Sequence, residues 1–85
     1  AFMGTMGFCL ENGLTTTDPN EAFVKSLVME QATQVVLLAD SSKAEKVSFA
    51  KVSDWQKVDI LVSDLMLPKD FTKALNKMGV KTQLT

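Results

Sequence analysis

The run Val35-Val36-Leu37-Leu38-Ala39 is the feature that most restricts how this chain can fold. Five apolar residues follow one another without a polar break, and the run stops abruptly at Asp40-Ser41-Ser42-Lys43. A half-buried strand alternates apolar and polar residues. An unbroken short run reads instead as a strand covered on both faces, as in a parallel sheet. The polar cluster then falls just past the strand's carboxyl end, which is the edge where open α/β sheets bind ligands. Ser41 and Ser42 bring hydroxyls, Lys43 a positive charge and Asp40 an acceptor. That set suits a small polyol or sugar carrying a phosphate.

The remaining elements are read outward from this strand. Residues 1–5 are expected to form a first strand. Gly4, Gly7 and Gly13 then punctuate a segment read as a loop running through Thr15-Thr16-Thr17. Asp18 has the character of a helix N-cap, Pro19 suits the first helical position, and Glu21 is placed to complete a capping box. The helix is predicted from Pro19 to Ala32 or Thr33, with Phe23, Leu27, Val28 and Gln31 as its buried stripe. Residues 41–58 read as a mixed connection anchored by Phe49 and Val52, with Ser53 or Asp54 capping a turn around Trp55. A strand at Ile60-Leu61-Val62 ends at Ser63-Asp64. Pro68 opens a second helix whose apolar positions are Phe71, Ala74, Leu75 and Met78, and Gly79 closes it. Val80 to Leu84 completes the pattern as a strand. The order β-α-β-β-α-β predicts an α/β fold with a mostly parallel sheet flanked by helices.

Composition removes several classes of function. All nine cations are lysine, and histidine, arginine and tyrosine are missing altogether. Histidine catalysis is therefore outside the chain's reach, as is bidentate arginine recognition of phosphate. Residues 1–42 hold five acids and one lysine, whereas residues 43–85 hold eight lysines and five acids, so the halves carry −4 and +3. That bias is too weak to argue for direct contact with DNA. The longest apolar run is five residues, against the roughly 20 that a membrane helix needs, so no membrane partner is expected. Cys9 is the single cysteine and cannot close an internal disulfide; it reads as a packing residue, and a reducing cytoplasm is the expected setting. No metal-ligand spacing, P-loop or G-x-G-x-x-G stands in the chain, and no cofactor is implied.

Candidate site residues follow from position. Asp40, Ser41, Ser42 and Lys43 lead, with an ordinary strand-to-loop turn as the alternative reading. Asp64 repeats the arrangement at the end of the next strand. Thr15, Thr16 and Thr17 precede a helix N-terminus, where backbone N–H groups favour anions, and capping by Asp18 would leave their hydroxyls available. Glu21 and Lys25 sit four apart on one helix face, the spacing of an ordinary ion pair. Trp55 reads as packing and the methionines as core filler.

Taken together, these pieces resemble the C-terminal effector-sensing half of DeoR-type bacterial transcriptional repressors. The resemblance spans Phe2-Met3-Gly4-Thr5-Met6-Gly7, Gly13-Leu14-Thr15-Thr16, Glu21 with Lys25, Val35 to Ala39 with Asp40-Ser41-Ser42-Lys43, and Val58-Asp59 leading into Leu61-Val62-Ser63-Asp64. Order and spacing make the match specific, since no single piece would suffice. The resemblance implies a partial fold like that of ribose-5-phosphate isomerase and the CoA transferases. It also implies a sensor that binds a phosphorylated sugar and controls DNA binding. Asp40 and Lys43 match the family's Asp-x-Ser-Lys signature and take its ligand-site role; Gly4, Gly7, Thr15, Glu21 and Lys25 match positions that line or shape the same cleft. Met6 departs from the polar or acidic residue of related isomerases, which argues against isomerase chemistry.

Relative to that family, residues 1–85 correspond to the C-terminal portion of the sensor domain. The DNA-reading winged helix would lie outside this chain, so DNA would be met only through that domain, and a homo-oligomer is expected. Two other readings stand beside the sensor. A sugar-phosphate isomerase-like enzyme would need a carboxylate base, for which Glu21, Asp40 and Asp64 are the candidates. A ligand-free oligomerisation module would instead pair open strand edges between chains.

Overall fold

A computed structural model describes every residue from Ala1 to Thr85. Its elements are β1 (Phe2–Met3), β2 (Gly7–Cys9), β3 (Gly13–Thr16), α1 (Pro19–Gln31), β4 (Val36–Leu38), β5 (Ala50–Ser53), β6 (Ile60–Ser63), α2 (Lys69–Lys77) and β7 (Lys81–Leu84). Short 3-10 turns span Ser41–Lys43 and Trp55–Lys57. The four strands expected from the sequence correspond to β1, β4, β6 and β7, and they pair with one another. They form one all-parallel sheet in the order β1-β4-β6-β7. The chain is therefore α/β, and the four carboxyl ends share one edge.

The parallel register is fixed where the strands begin. The Val35 N–H donates to the Asp59 carboxylate at 2.7 Å, and the Val35 carbonyl accepts from the N–H groups of Asp59 and Ile60. Lys81 then donates its N–H to the Asp59 carbonyl at 2.9 Å, which starts β7 beside β6. Val36 and Leu37 are buried as the unbroken apolar run requires, but the cover ends at Leu38, which is half exposed.

A second sheet is the main departure from expectation. The segment read as a loop from Gly4 to Thr17 holds β2 and β3, an antiparallel hairpin. β5, inside the segment read as a mixed connection, joins β3 to give the order β2-β3-β5. Every residue of β2 and β3 is buried, so neither strand shows the alternation that would reveal it. Glycines at the start of both strands imitate loop punctuation. Phe49, expected to anchor the connection, is 83% exposed; Val52 does the anchoring and is buried.

The helices end where their caps dictate. Asp18 accepts from the Asn20 N–H at 2.9 Å, and Pro19 opens α1. The capping box does not form, because the Glu21 side chain turns to Lys25 instead. At the end of α2, Gly79 takes φ +91°, the Val80 N–H reaches the Leu75 carbonyl and the Gly79 N–H reaches that of Asn76. This pair of bonds is a Schellman closure. Phe71 and Leu75 face the core as predicted, while Met78 is half exposed.

The buried stripe of α1 is not the predicted one. The helix lies against β5 and β3 through Ala22 and Met29. Phe23, Leu27, Val28 and Gln31 point away from the core. Both faces of α1 carry apolar residues, and the smaller, flatter one docks. No helix is long and apolar enough to cross a membrane.

The core joins both sheets through Phe8, Leu14, Leu37, Leu61, Trp55, Phe71 and Leu75. Replacing Leu61, fully buried in β6, by Ala is expected to cost about 2–5 kcal/mol. Phe49→Ser, at an exposed site, should stay within about 0.5 kcal/mol. Urea unfolding followed by circular dichroism measures both.

Candidate functional site

The parallel strands deliver three segments to the carboxyl edge. Gly4 to Gly7 leaves β1, Asp40 to Lys43 leaves β4, and Asp64 to Met66 leaves β6. A shallow recess of about 240 Å³ lies among the last residues of β4, β6 and β7, bounded in part by Asp40, Ser63, Asp64 and Thr85.

Two carboxylates shape the turn after β4. Asp40 Oδ1 accepts from the Ser42 N–H at 3.0 Å and from the Ser42 hydroxyl, so it caps the 3-10 turn. It does not hold Lys43. Lys43 makes no ion pair; the lysines that do are Lys25, Lys51 and Lys57. Asp64 reaches across from β6, accepting from the Ser41 N–H on one oxygen and from the Met66 N–H on the other, each at 2.9 Å. The Ser41 backbone N–H, with help from the Ser41 hydroxyl and the Met66 N–H, draws the Asp64 carboxyl below the usual carboxylate range against a smaller opposing effect of burial. Asp64 thus ties the turn after β4 to the end of β6.

A second cluster gathers around the loop after β1. Lys25 Nζ donates to the Gly4 carbonyl at 3.1 Å and pairs with Glu21 at 3.0 Å, tying the middle of α1 to the end of β1. The Thr5 hydroxyl lies 2.9 Å from the carbonyls of both Gly7 and Thr15. Thr15 Oγ1 accepts from the Ser48 N–H at 2.9 Å. Thr15 and Thr16 are therefore buried strand residues and not exposed hydroxyls at a helix N-terminus, as their sequence position suggested. Glycine at position 7 has a steric reason: a Cβ there would run into the Lys46 carbonyl. Gly4 has no such constraint, because a Cβ would meet only the Leu38 carbonyl at 3.9 Å.

The two clusters are neighbours. The segment after Lys43 runs beside β2, where the Glu45 N–H donates to the Phe8 carbonyl at 2.6 Å and Ala44 bridges to Phe8. Glu45 takes φ +62°, the left-handed turn that brings the Lys46 carbonyl onto Gly7. All three carboxylates available as a base already have partners: Glu21 with Lys25, Asp40 with Ser42, Asp64 with Ser41 and Met66. No group of three or more His, Cys, Asp or Glu side chains is placed to hold a metal ion.

Sequence reasoning missed Thr5 and Ser48, whose partners lie far away along the chain. It also passed over the side chain of Ser63, buried at the same edge with no hydrogen-bond partner for its hydroxyl; the Thr16 hydroxyl shares that condition. Only a polar residue ending an apolar strand could have drawn attention to Ser63.

Known proteins match this chain along nearly all of it. A family described as the DeoR C-terminal sensor domain matches residues 1–65. The HTH-type transcriptional regulator GlpR of Haloferax volcanii is 37% identical over 79 residues, covering 93% of this chain and 31% of the relative. A putative aga operon transcriptional repressor of Escherichia coli O157:H7 is 32% identical over 83 residues, covering 98% of this chain and 31% of the relative. The HTH-type transcriptional repressor GlcR of Bacillus subtilis is 32% identical over 85 residues, covering all of this chain and 33% of the relative. This chain spans about a third of the length of these curated relatives.

The Asp64 clamp has a pH signature. Its folded-state pKa lies below the unfolded one, so the ionised carboxylate adds stability above the ordinary carboxylate range, and that increment vanishes as pH falls through the folded value. Asp64→Asn should lower stability at neutral pH and flatten the acid limb of the stability profile below about pH 4. Urea melts at a series of pH values compare the two proteins; parallel acid limbs would show that the clamp contributes nothing.

Proposed function

This chain belongs to the DeoR C-terminal sensor domain family, and from that membership we propose that it is part of the effector-sensing domain of a longer transcriptional regulator. In this reading it binds a phosphorylated sugar and thereby controls how the regulator holds the DNA of a sugar-metabolism operon. The relatives are named transcriptional regulators and repressors, and the reading here is likewise of a regulator and not an enzyme.

The observation that carries the proposal is the meeting of the Asp40–Lys43 turn with the Gly4–Gly7 loop at one sheet edge, with Lys43 free of any carboxylate. Lys43 would neutralise phosphate as a point charge. Ser41 and Ser42 would supply hydrogen bonds to the phosphate or the sugar, and Asp40 would hold the turn open to them. Gly4, Gly7, Thr15, Thr16, Glu21, Lys25 and Asp64 would shape the cleft, most of them through backbone contacts. The recess of about 240 Å³ between the ends of β4 and β6 takes in Asp40 and Asp64, while Ser41, Ser42, Lys43 and the Gly4–Gly7 loop lie outside it.

Residues 1–85 would be the C-terminal portion of a sensor domain of ribose-5-phosphate isomerase-like fold. DNA would be bound by a separate winged-helix domain, and the protein would work in the cytoplasm as a homo-oligomer. The effector regulates only in so far as it prefers one arrangement of the intact protein; equal affinity for both would change nothing.

Calorimetric titration of the longer sensor domain with a panel of sugar phosphates and their unphosphorylated counterparts tests the proposal. Saturable binding of a phosphorylated sugar is expected, weakened about tenfold or more by Lys43→Ala, a loss of about 1.4 kcal/mol or greater. If no phosphorylated sugar binds, or if Lys43→Ala binds as well as the parent, the site is not at this edge.

A further inference from the structure

The loop after β1 and the segment that follows Lys43 come from distant parts of the chain, yet they meet at Gly7. Glycine there lets the Lys46 carbonyl lie directly against the backbone. A second tie between the same two segments runs through threonine hydroxyls. The Ser48 N–H donates to Thr15 Oγ1 at 2.9 Å, and Thr15 Oγ1 lies 3.4 Å from the Gly7 carbonyl. Thr5 Oγ1 lies 2.9 Å from the carbonyls of both Gly7 and Thr15. Each hydroxyl has one proton to give. One arrangement uses them all: the Thr15 hydroxyl donates to Gly7, and the Thr5 hydroxyl donates to the Thr15 carbonyl.

The hairpin itself does not call for a hydroxyl at position 15. Its backbone pairs Gly7 with Thr15 and Phe8 with Leu14 whatever the side chains. Thr15 is 2% exposed, and valine would fill that space, suit a strand as well and leave no polar atom to satisfy. The use of the hydroxyl lies outside the strand, in the Ser48 N–H that it accepts. Between Lys43 and Ser48 the side chains of Glu45, Lys46 and Val47 are exposed, so their burial does not hold the segment. Hydrogen bonds hold it instead. The Glu45 N–H reaches the Phe8 carbonyl at 2.6 Å, close to Lys43, and the Ser48 N–H reaches Thr15 where the chain turns back towards β5.

We propose that Thr5 and Thr15 are positioning residues for the anion site at the carboxyl edge. Through the Ser48 N–H and the Gly7 carbonyl they hold the segment that carries Lys43 against the loop after β1, and neither hydroxyl touches the ligand. The proposal rests on the reading of this edge as a sugar-phosphate site. A segment already fixed before the ligand arrives does not have to be ordered by it, and binding is tighter by that difference.

The test is made on the full-length regulator with Thr15→Val, Thr15→Ser and Thr5→Val. Calorimetric titration with inorganic phosphate and the same panel of sugar phosphates reads affinity, and amide hydrogen exchange reads the Ser48 and Glu45 N–H groups. Thr15→Val is expected to weaken binding of the phosphorylated sugar by about three- to tenfold, the cost of ordering one or two groups on binding. It should also speed exchange at Ser48, and Thr15→Ser should restore both. Thr5→Val, at a half-buried position, carries the test if Thr15→Val does not fold. Binding that is unchanged in the valine variants overturns the proposal, even where their stability falls. Thr15→Ser binding as poorly as Thr15→Val also overturns it, because the methyl group and not the hydroxyl would then matter. A parent that binds no phosphorylated compound sinks the sensor reading and this proposal with it, whereas a parent that binds beside valine variants that bind equally well sinks the positioning role alone.

Discussion

The pairing of β4 with β6 is the constraint on which the rest of the structure depends. It is set at the amino ends, where the Val35 N–H donates to the Asp59 carboxylate and the Val35 carbonyl accepts from the Asp59 and Ile60 N–H groups. From there the register runs Val36 to Ile60, Leu37 to Leu61 and Leu38 to Val62. One more step past Ala39 and Ser63 sets Asp40 beside Asp64. A slip of one residue would turn every side chain of β4 to the opposite face, putting Leu37 where Leu38 stands. It would also separate the Ser41 N–H from the Asp64 carboxylate. The clasp at one end of the sheet thereby governs the polar turn at the other, across two strands only four residues long or shorter.

At the carboxyl edge the acidic side chains act mainly as builders. Asp40 and Asp64 accept backbone N–H groups and so fix the path of the chain, while Glu21 and Lys25 anchor α1 to the carbonyl of Gly4. Charge-assisted bonds of this kind are shorter and stronger than neutral ones. The lysine of the turn is left without a partner, so the edge presents a cation on a framework held by anions. Such a division of labour suits recognition of a negatively charged group better than proton transfer, which needs a carboxylate with freedom to exchange its proton.

Some of this was legible in the sequence and some was not, for reasons that can be named. Val35 to Ala39 and Ile60 to Val62 announced the parallel strands because burial on both faces removes polar residues from a strand. Asp18, Pro19 and Gly79 announced helix ends because each has a local conformational role. The second sheet stayed hidden because β2 and β3 are short, begin with glycine and are buried throughout, so no alternation marks them. The docking face of α1 was misread because its outward strip is more apolar than the inward one; periodicity reveals that a face exists but not which of two faces meets the core. Within the site, Asp40 to Lys43 stood out as a polar break after an apolar run. The roles of Thr5, Thr15 and Ser48 did not, because they come from pairing between segments far apart in the chain.

The lone tryptophan gives this architecture an optical handle. Trp55 donates its indole N–H to the Cys9 carbonyl at 2.8 Å and packs edge-to-face on Phe8 and Phe71, with ring centres 6.0 and 6.4 Å away. Phe8 comes from β2, Trp55 follows β5 and Phe71 comes from α2, so one indole touches the hairpin, the crossing strand and the second helix together. With no tyrosine in the chain, its emission arises from that single junction without a competing fluorophore. Any event that parts α2 from the antiparallel sheet, or breaks the bond to Cys9, would wet the ring and shift its colour to the red.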